Sequence, residues 1–374
     1  MGRTNSAVGA ALLAAVCFGS AGAQDDPQLE ELRKAEAKRI REREPLTRLE
    51  QELYTRPADL PRWAPSMRAE KIRARVVPIG FRDRVPPGPA AAIKGLREYI
   101  ARNSGGALKL ELEEHEAIRL DRDLAEVLSL PKSSTHEADL VGRILRDAAI
   151  DVSKVDAVVL LYAGTRTRNR GSVLWPHQAS LRFGEKTVGY TLVPAEGDDA
   201  SAIQAHEFLH LFGLGDKTGS SKHCILAFGY EPLEACGACR ALLGWTPVGN
   251  VNPAKPSKVS VGELSEGGGV LRVEVSGDAE ALLIELREGM LLVWHDLRGQ
   301  LEFVAALDGK TSDRLSAHTM PGFRGKSRGA DLVFLTDLFV DAEAKRACFR
   351  VSTREELTPL EKYNVSKTGR SLGR

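Results

Sequence analysis

The stretch that decides how this chain is read is AHEFLHLFGLGD, residues 205–216. His206 and His210 stand four apart, so on a helix they lie one above the other on one face. Glu207 follows the first histidine directly. The helix is expected to start at Asp198 and Asp199, which can cap it, and to run through ASAIQAHEFLHLF. Ile203, Phe208, Leu211 and Phe212 would supply its buried side. Gly213 allows the tight reversal that stops a helix. Asp216, three residues on, can then return its carboxylate to the histidines. Two imidazoles and a carboxylate suit zinc, which in catalytic sites takes three protein ligands and keeps one position for water. Such a metal lowers the pKa of its water to about 7. Glu207, binding no metal, is placed to move the proton. The His-Glu-x-x-His spacing alone is only suggestive; Gly213 and Asp216 make the pattern specific.

Working outward, the segments before the motif alternate in type. IRARVVPIGF (72–81), SGGALKLELE (104–113), VDAVVLLYAG (155–164) and TVGYTLVP (187–194) read as strands. PGPAAAIKGLREYIARN (87–103) and EADLVGRILRDAAI (137–150) read as amphipathic helices. The order predicts a mixed sheet covered by helices. After Trp245 the texture changes to short strands separated by Gly, Asp and Ser, among them SKVSVGEL, ALLIELRE, GMLLVWHD and ACFRVST. The expected class is α+β, with residues 71–250 as the sheet-and-helix domain and 251–355 as a β-rich subdomain.

The ends read differently. MGRTNSAVGAALLAAVCFGSAGA, residues 1–23, has the layout of a secretory signal peptide, cleaved near Ala23, and is too short to span a bilayer. Cys17 raises a lipid anchor, but Val16 before it fits lipoprotein processing poorly. A secreted or periplasmic protein is expected. Residues 24–70 form a charged arm or short pro-segment, and 356–374 a loose tail. A net charge of +1 gives no reason to expect nucleic acid as a partner. No later segment is long and apolar enough for a transmembrane helix.

HEFLHLFGLGD is similar to the zinc motif of the metzincins, in the variant with aspartate as third ligand. RVVPIGFRD, YIARNSGGALKLELE, DAVVLLYAG and GSVLWPHQ upstream, with LLGWTPV, ALLIELRE and GMLLVWHD downstream, resemble the immune-inhibitor-A-like secreted metallopeptidases. The resemblance implies a metzincin-like mixed sheet with an active-site zinc helix. It places zinc on His206, His210 and Asp216, with Glu207 as general base. It implies an endopeptidase acting on protein or peptide substrates, expected as a monomer. Leu226, in HCILAFG, stands where the family keeps a methionine turn. Leucine is apolar and of similar size, a swap that usually costs under about 1.5 kcal/mol. Tyr230 falls where some metzincins support the oxyanion, although packing is the simpler role. Calcium is a further candidate ion.

The remaining features carry open alternatives. Cys224, Cys236, Cys239 and Cys348 are read as disulfides in an exported chain. The alternative is a second, structural zinc completed by His223 or Cys348. TVGYTLVP is expected at the sheet edge, where a peptide could add as a strand. His177 and His295 are read as structural, and TRTRNRG (165–171) as a solvated basic loop rather than a determinant for acidic substrates. Two other classes compete with the enzyme. One is a secreted binder that keeps the fold and metal without turnover, and the other is a structural envelope protein.

Overall fold

The structure is a computed structural model. It describes residues 54–55 and 70–353, except positions 152, 184–185, 217–221, 228–232, 253–256, 277–279, 298–299, 308–317, 320–332 and 342. The segment read as a signal peptide, most of the charged arm, Tyr230 and the C-terminal tail lie outside the described residues.

The elements run in chain order. Strand β1 (Tyr54–Thr55) is followed by β2 (Lys71–Gly80), helix α1 (Ala90–Ser104), β3 (Lys109–Glu114) and β4 (Ile118–Arg119). Helices α2 (Leu124–Leu128) and α3 (Ser134–Asp147) lead to β5 (Ala157–Thr165), β6 (His177–Phe183) and β7 (Lys186–Glu196). Helix α4 (Ala200–His210) carries the histidines, and α5 (Gly237–Leu243) follows it. Strands β8 (Val248–Val251), β9 (Ser257–Gly262), β10 (Val270–Ser276), β11 (Glu280–Arg287), β12 (Met290–Leu297) and β13 (Gln300–Leu307) come next. Strands β14 (His318–Thr319), β15 (Val333–Asp341) and β16 (Arg346–Thr353) end the described chain. The protein is α+β, with several sheets and few helices.

The first sheet has the order β3-β2-β5-β7-β6, with β4 added to the end of β2. Strands β3, β2, β5 and β7 are parallel, and β6 runs antiparallel to β7. Strand β5 is buried along AVVLLYAG because helices cover both faces. Alternate residues divide between two cores. Val76 and Val159 pack with Ile100, Phe208 and Leu209, on the face of α1 and α4. Val77, Val158 and Leu160 pack with Leu140, Val141 and Ile144 of α3 on the other.

The expectation that TVGYTLVP forms the edge is overturned. Strand β7 is internal, and its residues Tyr190 to Val193 are all buried. The edge is β6, HQASLRF, whose modest apolar content hid it from the sequence reading. Helix α4 also differs from the amphipathic helix foreseen. Nine of its 11 residues are buried, its polar residues Gln204, His206 and Glu207 included. Asp199 holds the N-cap position, yet its carboxylate accepts no backbone N–H and instead pairs with Arg166 at 3.1 Å.

The β-rich part forms a six-stranded sheet β1-β8-β10-β11-β12-β13 and a four-stranded sheet β14-β15-β16-β9. The change of texture foreseen after Trp245 is real, and the β-rich part has a core of its own around Val261, Ile284 and Phe349, but a second core runs across the boundary. Val248, Val270, Leu283 and Trp294 belong to the same core as Phe208 and Leu226. Glu285, fully buried on β11, joins the two parts. Its Oε2 accepts the Gly237 N–H at 2.8 Å and its Oε1 the Trp294 indole N–H at 2.7 Å. Trp294→Phe deletes one of these donors beside a buried carboxyl. It is expected to lower stability by about 1–3 kcal/mol in urea unfolding.

Candidate metal centre

Three side chains converge where α4 ends. His206 and His210 lie one turn apart, with Nε2 atoms 3.0 Å from each other. Gly213 adopts φ 84°, in the left-handed region, and reverses the chain as foreseen. The reversal brings Asp216 back, its Oδ1 at 3.2 Å from each Nε2.

Backbone carbonyls fix the rings. His206 Nδ1 lies 2.8 Å from the Ile225 carbonyl and His210 Nδ1 2.6 Å from the Leu214 carbonyl. A carbonyl only accepts, so each Nδ1 carries the hydrogen and each Nε2 presents its lone pair inward. Two lone pairs and a carboxylate oxygen thus face one point, an arrangement that repels itself unless a cation sits there. A proton can relieve one contact at a time; one divalent ion relieves all three. A tetrahedral ion with bonds of about 2.0–2.1 Å would set its donors roughly 3.3 Å apart, which fits the spacings found here.

The electrostatics follow from burial and contact. Contact with His206 first and His210 next holds the Asp216 carboxyl well below the ordinary carboxylate range. Burial disfavours the His210 cation, but Asp216 and the Leu214 carbonyl offset this and raise its pKa. Glu207 is only 4% exposed, and burial pushes its carboxyl upward against the pull of His206, His210 and His177. A largely desolvated carboxylate near a metal is a competent proton carrier.

The centre forms the floor of a cleft of about 670 Å³. Its lining includes Glu207, the three converging residues, Lys132, Arg166, Arg170, Trp175, His177 and Gln178. His177, read from sequence as structural, lies on this wall. Its Nδ1 is 2.5 Å from the Trp175 carbonyl. The basic loop, read as merely solvated, sends Arg166 and Arg170 into the lining. Their guanidinium carbons lie 6.0 and 5.4 Å from the Trp175 ring centroid. The arginine-rich spacing before Trp175 was the available signal. His295 is buried on β12, as the structural reading required.

Leu226 lies fully buried in the turn Cys224–Ala227, closed by Ala227 N–H to the Cys224 carbonyl at 2.9 Å. Its neighbour Ile225 supplies the carbonyl that orients His206, so the turn does support the centre. The disulfide reading finds no bonded pair here: Cys224, Cys236, Cys239 and Cys348 are not joined to one another in the structure. Three of them cluster, so no single pairing could satisfy them, while Cys348 stands on β16 in another sheet. Neither Cys348 nor His223 joins the cluster, and His223 packs on the Phe303 ring at 5.5 Å.

Neither a family model nor a curated protein matches the chain. Among solved structures it is similar to wild type OgpA from Akkermansia muciniphila, at 11% identity and a TM-score of 0.29. That match covers 60% of this chain and 72% of the other. A likeness of that size carries no argument about fold or activity. Among the described residues, no helix is long and apolar enough to cross a membrane.

Gly213→Ala tests the reversal that returns Asp216. A left-handed conformation costs a non-glycine residue roughly 1–2 kcal/mol. The variant should lose about that much stability in denaturant unfolding, and it should bind zinc more weakly in a chelator competition.

Proposed function

We propose that the chain is an exported zinc-dependent endopeptidase. One observation carries this reading. Two inward Nε2 lone pairs and the Asp216 oxygen meet at 3.0–3.2 Å beside buried Glu207, on the floor of an open cleft. Zinc held there supplies Lewis-acid polarisation of a carbonyl and an acidified water. His206 and His210 hold the ion through Nε2, their rings locked by the Ile225 and Leu214 carbonyls. Asp216, whose side chain is 61% exposed, closes the set from the solvent side. Glu207 takes a proton from the attacking water and delivers it to the departing amine nitrogen. The C–N bond breaks, leaving a carboxyl and an amine. Enclosure of Glu207 keeps that proton from bulk water.

Substrate enters along β6. This strand lies at the edge of the sheet, and His177 and Gln178 at its start line the cleft. An extended peptide can add to such an edge by main-chain hydrogen bonds. Lys132, Arg166 and Arg170 make the flanking wall cationic, which favours substrates with acidic side chains there.

Glu207→Gln keeps the shape but removes the base. Peptide cleavage should fall by about 10²–10⁴-fold while bound zinc, measured by atomic emission, stays at the wild-type level. Equal cleavage by both proteins would exclude the enzyme and leave a metal-holding binder. Arg170→Glu should lower kcat/KM for acidic peptides by about tenfold, equivalent to about 1.4 kcal/mol, and leave neutral peptides little changed. A paired library digest reads this directly.

A further inference from the structure

Beyond the cleft, three sulfurs meet in the core. Cys224 comes from the turn before residue 228, and Cys236 and Cys239 from the start of α5. All three are fully buried, and their Sγ atoms lie within 4.8 Å of one another. We propose that Cys224, Cys236 and Cys239 form a second, closed site for a thiophilic metal ion, and that this ion fixes the turn that orients His206.

The spacing fits an ion. Thiolates bound to one metal at about 2.3 Å stand roughly 3.8–4.0 Å apart, and Cys224 and Cys239 are separated by 3.8 Å. A disulfide would consume two sulfurs and strand the third in an apolar core. The backbone is arranged for charged sulfur. Cys236 N–H points at Cys224 Sγ at 3.5 Å, and Cys239 N–H at Cys236 Sγ at 3.4 Å. A half-buried cation stands by: Arg287 donates to the carbonyls of His223 and Ala235, one residue before Cys224 and one before Cys236. Among the described residues, no histidine or carboxylate oxygen joins the three sulfurs. An all-sulfur donor set selects soft ions such as Cu⁺, Zn²⁺ and Cd²⁺ over hard ones. The ion replaces the thiol protons, which pass to solvent as it binds.

The link to the cleft is short. Cys224 opens the turn whose second residue, Ile225, accepts the His206 Nδ1–H. Anchoring Cys224 therefore anchors the His206 ring. Cys224, Cys236 and Cys239 act here as positioning residues. The site stands or falls without reference to peptide hydrolysis.

The test uses the full chain, reduced and stripped of metal, titrated with Cd²⁺ alone. His206→Ala/His210→Ala removes the cleft site. That variant should still bind one Cd²⁺ per chain, with a thiolate-to-metal charge-transfer band in the ultraviolet and release of protons. Adding Cys236→Ser/Cys239→Ser to it should abolish band and binding. In the otherwise native protein, Cys236→Ser/Cys239→Ser should weaken zinc at the cleft by about 10–100-fold, the usual effect of losing a support behind a ligand. The histidine variant needs no cysteine replacement, so it decides the matter even if the serine variants fail to fold. Absence of the band there would overturn the proposal. So would a native protein whose mass and peptide map show a Cys224–Cys239 disulfide.

Discussion

Helix α4 is buried along nine of its 11 residues, and this one constraint organises the rest. A buried polar group must be given a fixed partner or it costs the fold several kcal/mol. Gln204 finds the Pro194 carbonyl, and His206 and His210 find Ile225 and Leu214. Each partner comes from a different neighbouring segment. The segments are therefore pinned in place by the histidines, and the histidine rings are pinned in return. Glu207 gains its raised carboxyl from the same enclosure. The proton chemistry proposed for it thus has the same origin as the rigidity of the metal ligands.

Much of this was legible from residue spacing. The four-residue repeat of His206 and His210, the glycine at 213 and the aspartate at 216 each mapped onto the geometry found. These are local signals, set by helix pitch and backbone sterics. The apolar run of β5 and the shift to short strands after Trp245 were legible for the same reason. What escaped was set by distant parts of the chain. Strand order is one case: β7 is interior because β6 folds back beside it, and nothing within TVGYTLVP says so. The carbonyls of Ile225 and Leu214 are another, since any residue type offers a carbonyl. The loop of Arg166 and Arg170 is largely exposed, as read, but its approach to Trp175 depends on where β5 ends.

The cysteines show how compartment and geometry can point in different directions. An apparent leader made disulfides the natural reading. Three thiols gathered at one point are poorly served by pairing, and backbone N–H groups are aimed at two of the sulfurs. The loop that holds them is also tied to α1. Asn103 accepts the Ala235 N–H at 2.8 Å, and Tyr99 donates to the Leu233 carbonyl at 3.2 Å.

Glu285 has a consequence for how the chain could be divided. Its two hydrogen bonds span the boundary read near residue 250, with α5 on one side and β12 on the other. A fragment ending there would leave the Gly237 amide without its carboxylate and strip Val270, Leu283 and Trp294 from the core beneath α4. The β-rich part, though it also has a core of its own, thus serves as a buttress beneath the histidine helix.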